Sequence, residues 1–332
     1  METEEALKKT VLIAPLNWGL GHASRIIPLI DKYKTEGWRV ILASDGDAFK
    51  FIEKEYPDKS VIDIGLKPLK YSKMPFLLAH LWHILPSFLK NIKTDKQFVE
   101  HFCNTEKVDL IISDNRYGFR HKKIKSIILT HQLQLPIPKY LSFGKGLVQK
   151  QLNRWLNAFD KCWIIDDQEH SLAGSLSSEK SLIIPYQFLG LQSRLKKEDA
   201  ILEIDFLVIL SGIEPQRSIL EKMIIEVFAN TKQQVTIIGG CFDTTEMDTT
   251  IRYIPFANTQ LLNQLINQSK CVIARSGYST IMDLIHLNKK AILIPTLGQV
   301  EQEYLARKHT SNSNFIIAEN TIHSLQEKIN NC

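Results

Sequence analysis

Apolar and polar positions along the chain repeat with two alternating periods. Thr10–Ala14 is a short apolar run closed by Pro15, and the loop Asn17-Trp-Gly-Leu-Gly-His22 follows it. From Ser24 to Glu36, Ile26, Ile27, Leu29, Ile30 and Tyr33 recur at helical spacing, and beyond Gly37 a β-rich run covers Arg39–Ala43. Strand, helix and strand in that order make a βαβ unit. Val108–Ser113, Ser126–Thr130 and Cys162–Ile165 read as further buried strands, so the first half predicts a parallel sheet flanked by helices.

A second series begins after the charged stretch Arg194-Leu-Lys-Lys-Glu-Asp199, which reads as a linker because apolar periodicity lapses across it. Phe206–Leu210 is a strand, Pro215–Phe228 a helix, and Gln234–Ile238 a strand ending in Gly239-Gly240. Cys271–Ala274, Ser279–Leu287, Ala291–Ile294 and Gln302–Lys308 continue as strand, helix, strand and helix. The pattern therefore predicts two doubly wound α/β domains in series, residues 1–195 and 196–332. A chain of 332 residues exceeds one comfortable core, which agrees with two.

Composition narrows the class. A chain 44% hydrophobic and 23% charged is globular, and it carries neither low-complexity tracts nor repeats. Residues 1–195 hold 28 Lys+Arg against 21 Asp+Glu, whereas residues 196–332 hold 13 against 15. The basic half is the one to meet an anionic surface or acceptor, although a mild lysine excess is also ordinary solvated surface. The five cysteines are scattered without a C-x-x-C pair, which reads as reduced thiols in the cytoplasm. The acidic N-terminus is unlike a signal peptide, and no apolar stretch reaches the ~20 residues of a membrane span. Met74–Lys93 is apolar and flanked by Lys67, Lys70, Lys73, Lys90, Lys93 and Lys96. Segment 67–96 reads either as peripheral contact with a membrane or, more simply, as a core helix broken at Pro86.

Glycine turns follow four strand ends: Gly19-Leu-Gly21, Ser211-Gly212, Gly239-Gly240 and Ser276-Gly277. Glycine lets backbone amides approach a ligand, and a following helix offers its positive end to phosphate. In Arg275-Ser-Gly-Tyr-Ser-Thr-Ile-Met-Asp283, a helix starting near Gly277 sets Ser279, Thr280 and Asp283 on one face. Such a face suits a diphosphate with its ribose diol, and it equally describes a capped helix with an acid in its first turns. Pro295 to Gln302 adds Gln299, Glu301 and Gln302, side chains suited to sugar hydroxyls or to a polar loop. His22, at the start of the first helix, is the candidate general base, its neutral form favoured by the helix N-terminus. No metal motif occurs, neither H-E-x-x-H nor Asp-x-Asp, and Asp166-Asp167 reads as surface. Neither a metal nor another cofactor is expected, and Arg275 with the helix dipoles would steady the leaving nucleotide.

With these residues in view, the chain resembles the family 28 glycosyltransferases, which include the enzyme adding N-acetylglucosamine to the lipid-linked peptidoglycan precursor. The likeness is carried by three segments: Gly19-Leu-Gly21-His22, Ser211-Gly-Ile-Glu-Pro-Gln-Arg217, and Arg275 to Asp283 against the family's R-x-G-x-x-T-x-x-E. It implies a GT-B fold, α/β, with two Rossmann-like doubly wound parallel-sheet domains facing a central cleft. It also implies an acceptor site at Asn17, Gly19, Gly21 and His22. The implied donor site comprises Gly212, Arg217, Gly240, Phe256, Arg275, Ser276, Gly277, Ser279, Thr280, Asp283, Gln299, Glu301 and Gln302. Within it Phe256 lies where the family holds the base, and Gln302 where a glutamine meets the sugar. Departures are Ile213 and Pro215 in the donor loop, Asp283 for Glu, and one glycine fewer in the first loop.

The expectation that follows is a metal-independent inverting transferase of cell-envelope glycan synthesis, without nucleic-acid partner. It would move a hexose or N-acetylhexosamine from a UDP-sugar to a hydroxyl acceptor. The alternatives are a nucleotide-sugar hydrolase or epimerase of the same fold, a non-catalytic nucleotide-sugar-binding subunit, and an NAD-dependent oxidoreductase using Gly19-Leu-Gly21 and Asp45.

Overall fold

A computed structural model describes residues 8–57, 61–66, 77–136, 145–212, 214–229, 231–242 and 251–331, with side chains excepted over 77–84. Two compact units emerge, the main boundary falling between Gln192 and Ser193. The first contains β1 (Thr10–Pro15), α1 (Leu20–Arg25), α2 (Ile27–Thr35), β2 (Arg39–Ser44), α3 (Gly46–Glu55), β3 (Val61–Asp63) and α4 (Leu77–Thr105). It continues with β4 (Leu110–Asp114), β5 (Lys125–Thr130), α5 (Lys145–Leu156), β6 (Lys161–Ile164) and β7 (Tyr186–Phe188). All seven strands are parallel, in the order β3-β2-β1-β4-β5-β6-β7. Helices cover both faces, which is why β1 is a continuous apolar run instead of an alternating one: Val11, Leu12, Ile13 and Ala14 are all fully buried.

The second unit contains β8 (Ile204–Ile209), α6 (Gln216–Phe228), β9 (Val235–Ile238), β10 (Arg252–Ile254), α7 (Thr259–Gln268) and β11 (Ser269–Ala274). It ends with α8 (Tyr278–His286), β12 (Ala291–Leu293), α9 (Val300–Lys308), β13 (Phe315–Ile317) and α10 (Ile322–Ile329). Its six parallel strands run β10-β9-β8-β11-β12-β13, the same winding as in the first unit. Val208, Ile237, Ile273 and Ile292, one from each of four strands, form its fully buried centre.

Several expectations need correction. Ser24–Glu36 is two helices, because Pro28 supplies no amide and α2 restarts around it. Pro86 does not break a helix but lies inside α4. Asp166 is fully buried, not surface: its carboxylate accepts the amides of Leu172 and Ala173 and the Ser177 hydroxyl, tying down the loop after β6. Cys103, Cys162 and Cys241 carry no disulfide, whereas Cys271 is disulfide-bonded, against the reading of five reduced thiols. The stretch read as a linker is held along α7, where Lys196 and Glu198 donate their amides to Asn263 and Asn267 at 2.8 and 3.1 Å.

Segment 67–96 is only partly visible, since residues 67–76, with Lys67, Lys70 and Lys73, lie outside the described residues. Within α4, Phe88 packs against Tyr117 and Trp155, while Leu85 and Leu89 remain nearly half exposed. No helix among the described residues is long and apolar enough to cross a membrane.

Candidate functional site

Strand order reverses between β1 and β4, and at such a switch point the connections leave in opposite directions and open a crevice beyond the strand ends. Pro15 pairs with Asp114 there, and the amide of Leu16 donates to the Asp114 carbonyl at 3.0 Å. Gly19, at φ +73°, turns the chain into α1, a backbone state that only glycine adopts without strain. One turn later His22 places Nδ1 3.1 Å from Asp114 Oδ2, with 14% of its side chain exposed. Asp114 is fully buried. Arg25, also buried, donates Nε to Asp114 Oδ2 at 2.9 Å and Nη2 to Oδ1, a two-pronged clamp. Burial alone would raise the Asp114 pKa, but Arg25 and then His22 outweigh it and hold the carboxyl at about 2. At neutral pH this is a fixed anion behind a partly open imidazole.

Asp114, Arg25 and His131 were missed by sequence reasoning. Asp114 carried the faint signal of an acid ending an apolar strand, and Arg25 that of a cation three residues beyond His22 on one helix face. Asn17, expected at the acceptor, has its carbonyl oxygen within 3.3 Å of the Ala48 amide and so caps α3. Asp45, the acid of the oxidoreductase alternative, is 4% exposed and accepts Arg116 Nη1 at 2.6 Å. It is therefore spent on an internal ion pair and cannot grip a ribose.

The second unit has its own switch point between β8 and β11, where the Ser211-Gly212 and Ser276-Gly277 turns lie. Gly277 is the N-cap of α8 and, being glycine, brings no side chain to cap the helix. Ser279 and Thr280 are half-buried in that first turn. Arg275 is 1% exposed and turned inward, its Nη1 donating to Ile294 O, Pro295 O and Asn320 Oδ1 and its Nη2 to Gln216 O, at 2.8–3.4 Å. All four acceptors are neutral, and burial pulls the pKa down to about 10. Direct contact between Arg275 and a diphosphate is thus not what the geometry offers. The side chain instead braces three loops and leaves a buried positive charge without a carboxylate partner among the described residues.

The remaining expected donor residues divide between structural and open positions. Gly240, at φ +64°, packs so closely that a Cβ would lie 2.4 Å from the Leu210 carbonyl oxygen. Arg217 is held by Glu214 at 2.7 Å, Glu221 at 3.3 Å and the Gly239 carbonyl at 3.1 Å. Gln302 is 7% exposed and its Oε1 accepts the Thr296 amide at 2.9 Å, while its own carbonyl accepts the Ser276 hydroxyl. Phe256 is half-buried beside Phe242, ring centroids 5.0 Å apart. Gln299, the N-cap of α9, makes no side-chain cap bond, and Glu301 follows in the first turn. Ile213 lies outside the described residues. Among the described residues no three His, Cys, Asp or Glu side chains form a metal-ligand group.

Asp283 accepts the Ser193 hydroxyl at 2.6 Å, and burial raises its pKa from 3.8 to about 6 against the pull of that bond and of Arg194. A carboxyl with a raised folded pKa contributes its full stability below the unfolded value, and loses it as pH rises through the folded value. Ionised Asp283 therefore costs about 1–2 kcal/mol at pH 7, after allowing for its partial exposure. The Asp283→Asn variant, which keeps an acceptor for Ser193, is expected to unfold at higher denaturant than the parent at pH 7 and equally at pH 4. Parallel denaturation curves at both pH values, with no gain at pH 7, would show that the carboxylate carries no such cost.

Residues 204–332 match the glycosyltransferase family 28 C-terminal domain, the segment that holds β8 to α10 and both donor turns. The chain contains a glycosyltransferase family 28 C-terminal domain. Its fold matches the kitacinnamycin glycotransferase with a TM-score of 0.64 at 13% identity, covering 98% of this chain and 90% of that one. It also matches the glycosyltransferase SnogD from Streptomyces nogalater at a TM-score of 0.60 and 12% identity, over 98% and 91% of the two chains. The spinosyn rhamnosyltransferase SpnG, complexed with thymidine diphosphate, gives 0.61 at 12% identity over 97% and 91%. Identities this low establish the GT-B fold. None of the curated proteins matches the sequence.

Proposed function

We propose that this glycosyltransferase transfers a hexose or N-acetylhexosamine, with inversion and without a metal, from a nucleoside diphosphate sugar to a hydroxyl acceptor. The observation that carries the reading is His22 backed by the fully buried Asp114. An imidazole whose Nδ1–H is donated to a fixed carboxylate presents Nε2 as a lone pair, the form that removes a proton from a hydroxyl. The acceptor oxygen then attacks the anomeric carbon from the side opposite the diphosphate, which departs with the bonding electrons.

Donor chemistry is supported by the glycine N-cap of α8, which lets a ligand approach the helix start, and by Arg275 behind it. A helix N-terminus backed by a cation with neutral partners is short of negative charge, and a diphosphate supplies it. This also supports departure without a metal ion, because fixed helix dipoles, with a guanidinium buried behind them, offset the developing charge. Asp283 is the ribose ligand in this reading: two diol hydroxyls would relieve the desolvation that now raises its pKa. SpnG is described in complex with thymidine diphosphate, so dTDP-sugars stand beside UDP-sugars as donors. The exposed Leu85 and Leu89, next to Lys90 and Lys93, support peripheral contact with an anionic membrane in delivering a lipid-linked acceptor.

A thermal-shift panel of UDP-, dTDP-, GDP- and CMP-sugars, run in excess chelator, tests donor class and metal independence together. A donor at about a hundred times its Kd is expected to stabilise by about 2.7 kcal/mol. That corresponds to an upward shift of about 5 °C or more. No shift with any nucleotide, or a shift only when a divalent cation is restored, would overturn the proposal.

A further inference from the structure

We infer that Arg25 is a positioning residue that keeps the His22 imidazole neutral by clamping the Asp114 carboxylate and offsetting its charge. Its usefulness to catalysis rests on His22 being the base, but the arrangement itself is testable without any substrate. A buried carboxylate beside a histidine ordinarily favours the imidazolium. A base that already holds its proton cannot take one from an acceptor hydroxyl, so the His22–Asp114 pair alone would stand partly idle near neutral pH.

Arg25 removes that bias in two ways. Its Nε and Nη2 occupy both oxygens of Asp114, so the anion His22 faces is already paired. Its Nη2 also stands 2.9 Å from His22 Nδ1, so the guanidinium charge lies against the ring and opposes a second positive charge there. The remaining nitrogen, Nη1, lies 2.8 Å from His131 Nδ1. Arginine can only donate, so His131 Nδ1 must accept, and that bond fixes the rotation of the fork about Asp114. The groups facing His22 are thus Asp114 from the end of β4 and Arg25 from its own helix. His131 after β5 and Tyr117 after β4 stand behind the guanidinium, with Cys162 of β6 beside Tyr117. Lysine would retain the charge without the two-pronged geometry.

The test follows the His22 ring by NMR in protein carrying 15N-labelled histidine, titrated with no donor or acceptor present. In the Arg25→Gln variant the proton affinity of His22 is expected to rise by about tenfold or more, because Asp114 loses its partner. In Arg25→Lys it is expected to stay within about threefold of the parent, since the charge remains. A folded Arg25→Gln protein whose His22 titrates within threefold of the parent would overturn the inference. Should that variant fail to fold, the Arg25→Gln/Asp114→Asn double variant removes both charges, and its His22 is expected to titrate within about threefold of the parent. A larger fall in proton affinity there would mean that Asp114 acts uncompensated, which also overturns it. The base assignment fails separately, through full turnover in a His22→Ala variant, and that result would leave the titration behaviour unchanged.

Discussion

The His22→Ala variant is expected to lose about 10²–10⁴-fold in turnover while its affinity for the nucleotide donor changes by less than about twofold. The separation follows from placement. His22 sits at the β1–β4 switch point of the first unit, whereas the α8 start and Arg275 that support donor binding belong to the second. A general base contributes to proton transfer in the transition state and not to holding the diphosphate, so kcat should fall with little change in donor Kd. Transfer from the donor found in the thermal-shift panel, with nucleotide affinity by calorimetry, provides both numbers. Turnover within threefold of the parent would remove His22 from the mechanism, and a matching loss of nucleotide affinity would make it a binding residue instead.

The second large effect concerns the floor of the same switch point. Arg116, fully buried, donates to Asp45 at 2.6 Å and to Asp95 at 2.6 Å, and its Nη1 lies 3.4 Å from the Pro15 carbonyl. The triad joins the loop ends after β1, β2 and β4 to α4, and next to it Gly118 packs so tightly on α4 that a Cβ would fall 2.1 Å from the Ile92 carbonyl oxygen. Removing the shared cation strands two buried carboxylates, so the Arg116→Met variant is expected to lose about 3–5 kcal/mol. For a unit of this size that is about 10 °C in Tm. Burial already raises the Asp95 pKa despite Arg116, and without the arginine that carboxyl would rise further. Stability of the variant should therefore recover as pH falls and the stranded acids take up protons, so the deficit is larger at pH 7 than at pH 4.5. Denaturation at the two pH values checks the sign. A deficit independent of pH would mean that lost packing, not unpaired charge, is responsible.

Much of this molecule was legible in one dimension. Continuous apolar runs such as Thr10–Ala14 and Cys271–Ala274 announce strands buried on both faces, and glycine turns after them announce strand ends. The short strands β3, β7, β10 and β13 were missed, because three residues are too few for periodicity to register; β12, as short, was read only because its apolar run continues through Ile294 to Pro295. Asp166 and Arg275 were misjudged for a different reason. A charged side chain in a sequence advertises solvent or ligand, and only its neighbours reveal whether internal amides or carbonyls have claimed it.

The sequence by itself determined the two α/β halves, the position of the turns that carry ligand chemistry, and His22 as the base to test. Those are properties of local period and residue type, which the chain carries wherever it goes. The tertiary structure decided which charges are free to act. It set Asp114, 92 residues from His22, behind the imidazole, gave Arg25 to both of them, and turned Arg275 away from solvent. Partners that distant in sequence meet only through strand order, and strand order is fixed by the packing of the whole sheet.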